Sequence, residues 1–224
     1  MSDLDRRIPE PQLMDDEAQA EAYATTDFSE PHQAFVTHFG QRFPEFAGGE
    51  VMDLGCGPAD ITVRFALAYP GARLTGVDGA AAMLACGHSL VRQRGLDDRV
   101  KLRQLLLPCD GFPERRYDAV ICNSLLHHLD DPSAQWTTAA ACAAPGAPIF
   151  VMDLFRPESR DRARALVEQH AEGAPEILRQ DFYNSLLAAY REPEVRAQLA
   201  AAGLGHLAVE LVSDRHLIVW GRQV

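Results

Sequence analysis

The chain has 224 residues, 47% of them hydrophobic, and a formal net charge of −11 at pH 7. This length and apolar content predict one large domain with a sizeable core, and the negative charge disfavours binding to nucleic acids, which requires a basic surface facing the phosphates. Residues 1–7 lack the apolar segment of a secretory signal and no apolar run is long enough to span a bilayer, so we expect a cytoplasmic protein that binds no membrane.

Residues 1–46 are predicted to form an N-terminal helical cap. Residues 15–24 are typical of a short acidic helix and residues 31–43 of an amphipathic one. The loop between them mixes aromatic, acidic and imidazole side chains, which packing alone explains poorly; the alternative is that its aromatic side chains are core and its polar ones are caps and surface. The candidate substrate-binding residues of this loop are Tyr23, Asp27, Phe28 and His32.

The next segment is typical of a strand, a glycine turn and the start of a helix. A buried strand at 51–54 is followed by Gly55-Cys56-Gly57, and a second strand at 74–78 ends in Asp78. Asp78 follows Gly55 by 23 positions, close to the spacing of about 20 that a strand–helix–strand unit imposes between a nucleotide-binding turn and the acid that binds the ribose hydroxyls. The alternative role for Asp78 is a cap for the following helix.

Asp60 makes one class of cofactor less favourable. It stands where a dinucleotide-binding turn usually has Gly or Ala, beside a helix N-terminus that would receive a pyrophosphate. Two negative charges would repel there, whereas a cofactor with an ammonium group and a sulfonium tolerates acids at Asp53 and Asp60. The charge pattern therefore favours S-adenosyl-L-methionine over NAD.

Strands and helices continue to alternate, which predicts a doubly wound α/β fold with a mostly parallel sheet. The further predicted elements are helices at 61–69 and 80–94 and strands at 100–106, 119–123, 148–154, 207–212 and 216–220. A tight turn around Ser213-Asp214-Arg215 joins the last two strands into a C-terminal antiparallel hairpin.

A long helical segment separates the fifth and sixth strands, and we expect it to fold over the ligand as a lid. It supplies the candidate substrate-binding residues Tyr183 and Asn184, and the hairpin supplies His216. No repeat, low-complexity tract or linker divides the chain. The single predicted domain, 1–224, consists of the N-terminal cap (1–46), a cofactor-binding core (50–154), the helical lid (156–205) and the hairpin (206–224).

Four sets of motifs occur in a fixed order along the chain. They are Asp53-Leu54-Gly55-Cys56-Gly57; Gly76-Val77-Asp78-Gly79 with Ala82-Met83-Leu84; 117–123 with Leu126-His127-His128-Leu129; and Ala144-Pro145-Gly146 leading into 149–153. Together they resemble the motifs of the class I S-adenosylmethionine-dependent methyltransferases of the small-molecule type. The resemblance covers roughly residues 50–224 and implies a seven-stranded sheet.

The resemblance also implies S-adenosyl-L-methionine as cofactor and methyl transfer to an oxygen, nitrogen, sulfur or carbon nucleophile of a small molecule. Asp53 is expected near the cofactor's amino group, and Asp78 at its ribose. The other candidate cofactor-binding residues are Gly55, Cys56, Gly57, Asp60, Gly79, Met83, Gln104 and Asn123. The chain departs from the family after the third strand, where many members have an acid that binds adenine; Gln104 or Asp110 is the candidate here.

Asn123 and His127 are the candidate catalytic residues. Methyl transfer depends mainly on positioning the donor and the acceptor, and a general base adds to the rate when the acceptor must lose a proton. Asn123 ends the fourth strand, where ligands bind in open parallel sheets; its alternative role is binding loop backbone. We expect His127 and His128 to diverge, one facing the site and one packing.

The five cysteines form no CxxC pair, and we expect reduced, buried thiols. The alternative is a thiol trio that binds a soft element such as arsenic. No metal site is predicted, and the oligomeric state stays open. Alternatives to methyl transfer are a protein that binds the cofactor without transferring a group, an enzyme that moves its aminopropyl or carboxypropyl chain, and an NAD-linked oxidoreductase.

Overall fold

One seven-stranded sheet supports the ligand site in the computed structural model, which describes residues 4–11, 13–108 and 117–224. Its strands are β1 (Gly48–Leu54), β2 (Gly71–Asp78), β3 (Val100–Gln104), β4 (Ala119–Asn123), β5 (Pro148–Leu154), β6 (Ala208–Leu211) and β7 (His216–Arg222). Their order is β3-β2-β1-β4-β5-β7-β6; β7 runs antiparallel to both of its neighbours, β5 and β6, and the pairs from β3 to β5 are parallel. The predicted α/β fold, with its C-terminal antiparallel hairpin, is confirmed.

Helices cover both faces of this sheet. They are α1 (Glu17–Thr25), α2 (Ser29–Arg42), α3 (Asp60–Ala68), α4 (Ala81–Gln93), α5 (Ser133–Cys142), α6 (Arg160–His170), α7 (Glu176–Ala188) and α8 (Glu192–Ala201). A short 3₁₀ turn, Leu126–His128, follows β4. The predicted lid segment is thus three separate helices, α6 to α8. No helix among the described residues is both long and apolar enough to cross a membrane.

The strands bury alternate side chains in two cores, as the period of two in a strand requires. Met52 and Val120 contribute to the core that contains Trp136 of α5, whereas Val51 and Ile121 contribute to the core that contains Phe39 of α2. A smaller third cluster joins α6 and α7. Both sheet faces are therefore filled, and the ligand site is restricted to the carboxyl edge.

Several strand boundaries differ from the prediction, among them the start of β1 and the end of β3. β1 begins at Gly48, three residues before the predicted start, because Gly48 and Gly49 pair with β2 at φ +140° and +121°. Two consecutive glycines in a sequence are typical of a turn, so the prediction placed them outside the strand. A Cβ on Gly49 would lie 2.4 Å from Asp118 Oδ2. β3 ends at Gln104 instead of Leu106, so the apolar run continues beyond the pairing.

The described cysteines are free thiols, and three of the four, Cys56, Cys122 and Cys142, are buried. No trio of cysteines approaches to metal-binding distance in the described part of the chain. The predictions for Cys109 and Asp110 lie outside the described residues. The thiol-trio alternative therefore has no support among the described residues.

Candidate active site

A cavity of about 660 Å³ opens at the carboxyl edge of the sheet. It lies above the ends of β1, β2, β4 and β5 and is closed by the α1–α2 loop, by residues 13–14 and by α7. The predicted site residues that line it are Tyr23, Asp27, Phe28, His32, Asp53, Gly55, Cys56, Gly57, Asp60, Asp78, Gly79, Met83, Asn123, His127 and His216. Carboxyl ends of parallel strands are where open α/β sheets bind ligands.

Three predicted residues lie outside this cavity. The Gln104 amide nitrogen donates to the Gly79 carbonyl (3.0 Å) and so braces the turn after β2; a contact of its amide oxygen with adenine stays a prediction. On α7, Tyr183 packs with the α6–α7 cluster and Asn184 accepts a hydrogen bond from Gln180 (2.9 Å). The helical period turns Leu178, Asp181, Phe182 and Ser185 toward the cavity instead.

The glycine turn after β1 is shaped by positive φ angles. Gly55 has φ +70° and Gly57 φ +51°, and the Gly55 and Cys56 amides both donate to the Val77 carbonyl. A Cβ on Gly55 would lie 2.9 Å from the Leu125 side chain, whereas one on Gly57 would meet no atom within 4 Å. The turn therefore needs glycine at Gly55 for packing and leaves open space above Gly57 for a ligand. Ala59, at φ +64°, adds a rare non-glycine residue in this conformation.

Asp78 joins this turn to the next one. Its Oδ2 accepts from the Gly57 amide and its Oδ1 from the Ala80 amide, each at 2.8 Å. Burial raises the pKa of this carboxyl, and the two backbone bonds oppose the rise. The alternative role as a helix cap is not seen, because α4 has Ala80 as its N-cap and no side-chain capping bond; the Asp78 bond to Ala80 closes the turn before α4, and each oxygen keeps a further lone pair. Contact with the ribose stays a prediction.

Asp53 is a deeply buried carboxyl that lacks a cationic partner among the described residues. It is 1% exposed, and its Oδ2 accepts from the Thr62 hydroxyl (2.6 Å). Burial raises the pKa of Asp53 to about 7, against the effect of that hydrogen bond. An ammonium group brought into this part of the cavity would favour the ionised form.

Asp60, in contrast, is fully paired. His32 Nδ1 and Arg64 Nε both lie 2.6 Å from its Oδ2. Burial alone would raise its pKa, but the hydrogen bonds and charges of these two partners lower it to about 2. The sequence argument treated Asp60 as an uncompensated acid; Arg64, one helical turn later, neutralises it. Asp60 is therefore weaker evidence against NAD than the sequence alone indicated.

The loop between α1 and α2 forms one wall of the cavity. The rings of Tyr23 and Phe28 stack at 4.7 Å, and those of Phe28 and His32 at 5.4 Å. Asp27 accepts from the Ser29 amide at 2.9 Å and thereby holds the start of α2. These residues line the cavity and also serve the capping and packing roles named as their alternative.

A polar wall closes the opposite end of the cavity. The His127 Nδ1 contacts Asp153 Oδ1 at 2.5 Å, and its Nε2 lies 3.5 Å from Glu10 Oε1. The same Glu10 oxygen is 3.3 Å from His128 Nδ1. The expected divergence of the two histidines is wrong, since their rings stack at 4.2 Å and both line the cavity. A 3₁₀ turn, tighter than an α-helix, keeps the two rings together.

The charges in this wall have opposite effects on the two histidines. Burial would lower the pKa of His127, but the Asp153 and Glu10 carboxylates raise it above its ordinary value. Burial and the neighbouring His127 lower the pKa of His128 to about 3. Burial also raises the pKa of Glu10. In this wall Asp153 contacts His127, and Glu10 contacts both histidines, so the four ionisable groups form one connected chain.

Glu10 and Asp153 are the site residues that sequence reasoning missed. Asp153 sits at the carboxyl end of a correctly predicted strand, as Asp78 does, so the same rule would have found it. It accepts from the Leu126 and Leu154 amides as well as from His127. Glu10 lies in a segment without secondary structure, and it reaches the site because Ser185 of α7 donates to it at 3.1 Å. No local pattern marks it.

The two remaining predicted residues occupy the cavity rim. Asn123 donates to the Ser124 hydroxyl at 3.1 Å, and Ser124 itself has φ +54°. His216 lies next to Arg215, and burial together with that charge lowers the pKa of His216 to about 3. Both residues line the cavity.

Known proteins share this architecture. The chain superposes on a SAM-dependent methyltransferase from Aquifex aeolicus with a TM-score of 0.68 and 18% identity, over 93% of this chain and 99% of the other. A Methanococcus maripaludis protein, assigned to the S-adenosyl-L-methionine-dependent methyltransferases without a demonstrated activity in its description, gives a TM-score of 0.70 and 13% identity, over 95% and 96%. A plantazolicin methyltransferase in complex with a substrate analogue and SAH gives 0.66 and 12%, over 92% and 90%. At these identities the likeness establishes the fold.

Sequence comparison matches part of the chain to known methyltransferases. A profile described as a methyltransferase domain matches residues 52–149. The ubiquinone biosynthesis O-methyltransferase of Bordetella pertussis is 33% identical over 113 residues, which cover 49% of this chain and 44% of that protein. An uncharacterised Synechococcus protein is 29% identical over 128 residues, 56% of this chain and 31% of the other. The chain spans less than half the length of these curated relatives.

Proposed function

We propose that the chain is a class I S-adenosylmethionine-dependent methyltransferase, with S-adenosylmethionine as cofactor, and that it transfers the methyl group to a small-molecule nucleophile by in-line displacement. The observation that carries the proposal is the single cavity in which the glycine turn and the polar wall face a common space. We call the turn, Asp53 and Asp78 the cofactor side, and Glu10, His127, His128 and α7 the acceptor side.

The cofactor side suits a cationic nucleoside. Asp78, placed by the Gly57 and Ala80 amides, has oxygens left to accept from ribose hydroxyls. Asp53, buried and without a cationic partner among the described residues, suits the cofactor's ammonium group. The open space above Gly57 leaves room for the adenosine. Met83 and Gly79 line the cavity beside it.

The acceptor side suits a compact molecule. The cavity of about 660 Å³ lies within the range of small-molecule sites. With the sulfonium at the glycine turn, the acceptor's nucleophilic atom would lie between the methyl group and the polar wall. Enclosure by the α1–α2 loop and by α7 would exclude water and hold the two reactants in line, which supplies much of the rate of a displacement.

We assign His127 and Asn123 to the reaction. Asp153 fixes the His127 ring through Nδ1, and in its neutral form the ring would take a proton leaving the acceptor at Nε2, where the neighbouring Glu10 stabilises the resulting imidazolium. Asn123, at the end of β4, would orient the acceptor through its amide.

Product mass distinguishes methylation from transfer of the aminopropyl or carboxypropyl chain. If incubation with a panel of acceptors yields no product, cofactor binding without group transfer is favoured.

Calorimetric titration with S-adenosylmethionine and S-adenosylhomocysteine tests the cofactor site. We expect Asp78→Ala to weaken both by about 100-fold or more, because two hydrogen bonds to a charged acceptor contribute about 1.5–3 kcal/mol each. Asp131→Ala is the matched control: Asp131 also accepts from the amide two residues later, at 2.9 Å, but lies on the surface. It should bind as the parent does. Equal affinity in parent and Asp78→Ala would contradict the proposal.

A further inference from the structure

We propose that Glu10, His127 and His128 form a binding site for a divalent transition-metal ion on the wall of the cavity. Each of the three offers one ligand atom, and these atoms lie within 4.8 Å of one another. Two imidazoles and one carboxylate are a donor set that zinc and non-haem iron sites use, with open positions left for water or substrate. The sequence alone predicted no metal.

The distances fit a single ion. Ligands about 2.1 Å from a tetrahedral ion lie about 3.4 Å apart, and those on adjacent octahedral positions about 3.0 Å apart. Glu10 Oε1 is 3.5 Å from His127 Nε2 and 3.3 Å from His128 Nδ1. The three side chains are 9%, 3% and 13% exposed, so the ligand set is preformed and largely shielded. Both histidines line the cavity, which gives the ion an entry path and open positions.

Each histidine has one ring nitrogen facing the Glu10 carboxylate. Asp153 contacts His127 through Nδ1, which leaves Nε2 as the ligand atom, the arrangement in which an outer carboxylate orients a metal-binding imidazole. His128 Nδ1 is buried and has no hydrogen-bond partner among the described residues. An unpartnered buried nitrogen costs free energy, and coordination would remove that cost.

Charge balance favours a cation at this point. Glu10 and Asp153 place two carboxyls in the wall, and Asp181 of α7 adds a third nearby. The Arg7 guanidinium lies beside this wall. Its hydrogen bonds go to the His127 and Leu129 carbonyls and to the Tyr190 hydroxyl. A divalent ion would neutralise the two carboxylates that contact the histidines.

The ion would also change the role of the histidine. With His127 and Glu10 as ligands, a bound acceptor oxygen would be activated by the ion instead of by His127, and this consequence rests on the proposed function. The proposal that the ion binds does not rest on the proposed function. The two are separated by measuring cobalt binding and S-adenosylhomocysteine binding on the same preparations.

The test is titration of the chelator-treated protein with Co²⁺, followed by visible absorption and calorimetry. We expect one equivalent to bind and a d–d band without thiolate charge transfer. Glu10→Gln and His128→Gln should each weaken binding by about 100-fold or more, and Asp153→Asn by about 10- to 100-fold. His216→Gln, which changes another buried histidine of the same cavity, should bind cobalt as the parent does.

X-ray absorption on the parent protein keeps the proposal testable even if a variant misfolds. Two imidazole nitrogens and a carboxylate oxygen around the cobalt would support the site. A sulfur ligand, no stoichiometric binding, or unchanged binding in folded Glu10→Gln and His128→Gln would each overturn it. Cobalt binding without S-adenosylhomocysteine binding would uphold the metal site while contradicting the proposed function.

Discussion

The cofactor side and the acceptor side are built in different ways. The cofactor side is made of backbone turns close together in sequence: Asp78 binds the amides of Gly57 and Ala80, which lie 21 and 2 positions away. The acceptor side is assembled from distant segments, since Ser185 holds Glu10 across 175 positions and Gln19 binds Asp181 across 162. Local chain geometry therefore determines the first, and tertiary packing the second.

The largest expected effect is at Asp153, which connects the sheet to the acceptor side. Asp153→Asn replaces a buried carboxylate that accepts from Leu126, His127 and Leu154, so we expect a loss of about 3–5 kcal/mol in the free energy of unfolding, measured with urea. Asp118→Asn is the control, because Asp118 accepts one exposed amide, that of Glu50. It should cost less than about 1 kcal/mol. Equal losses would show that the polar wall does not depend on Asp153.

The next effect tests the backbone of the cofactor side. Gly55→Ala should cost about 2–4 kcal/mol, because it combines φ +70° with a Cβ that would lie 2.9 Å from Leu125. Gly146→Ala has a similar φ of +79° but no atom within 4 Å, and should cost only about 1 kcal/mol. Cofactor affinity should fall in the first variant alone. If the two variants lose the same stability, the close contact with Leu125 is not the reason for the glycine.

A smaller effect is expected where the N-terminal segment is fastened. Arg7 donates to the carbonyls of Ala188, Leu129 and His127 and stacks on the Tyr190 ring at 4.4 Å. Arg7→Met should speed limited proteolysis of this segment by about 10-fold, because cleavage follows the population of the open form. The exposed Arg6→Met should leave the rate unchanged. An unaltered rate in Arg7→Met would mean that other contacts hold Glu10 in place.

The smallest expected effect is the release of a proton from Asp53 when the cofactor binds. The pKa of Asp53 is raised from 3.8 to about 7, so the free protein holds a proton there at about pH 6. An ammonium group beside Asp53 favours its ionised form, so cofactor binding should release up to one proton at about pH 6 and none at about pH 9. Calorimetry in two buffers of different ionisation enthalpy measures this release. It should vanish in Asp53→Asn; release that persists in this variant would assign the proton to another group.

The sequence predicted the cofactor side better than the acceptor side. The bounds of β4 and β5 and the position of Asp78 are as expected, because apolar runs and their terminal acids are local signals. On α7 the presence of the helix was predictable, but its rotation was not, so Tyr183 and Asn184 were named instead of Asp181 and Ser185. Glu10 could not be predicted, because its position depends on contacts with α7.

The most direct test of the account is a crystal structure with S-adenosylhomocysteine bound. The account predicts the ribose hydroxyls within hydrogen-bonding distance of Asp78, the amino group on the Asp53 side of the glycine turn, and the sulfur facing the space before Glu10, His127 and His128. An adenosine bound against the polar wall, or a ribose without contact to Asp78, would contradict the division into a cofactor side and an acceptor side.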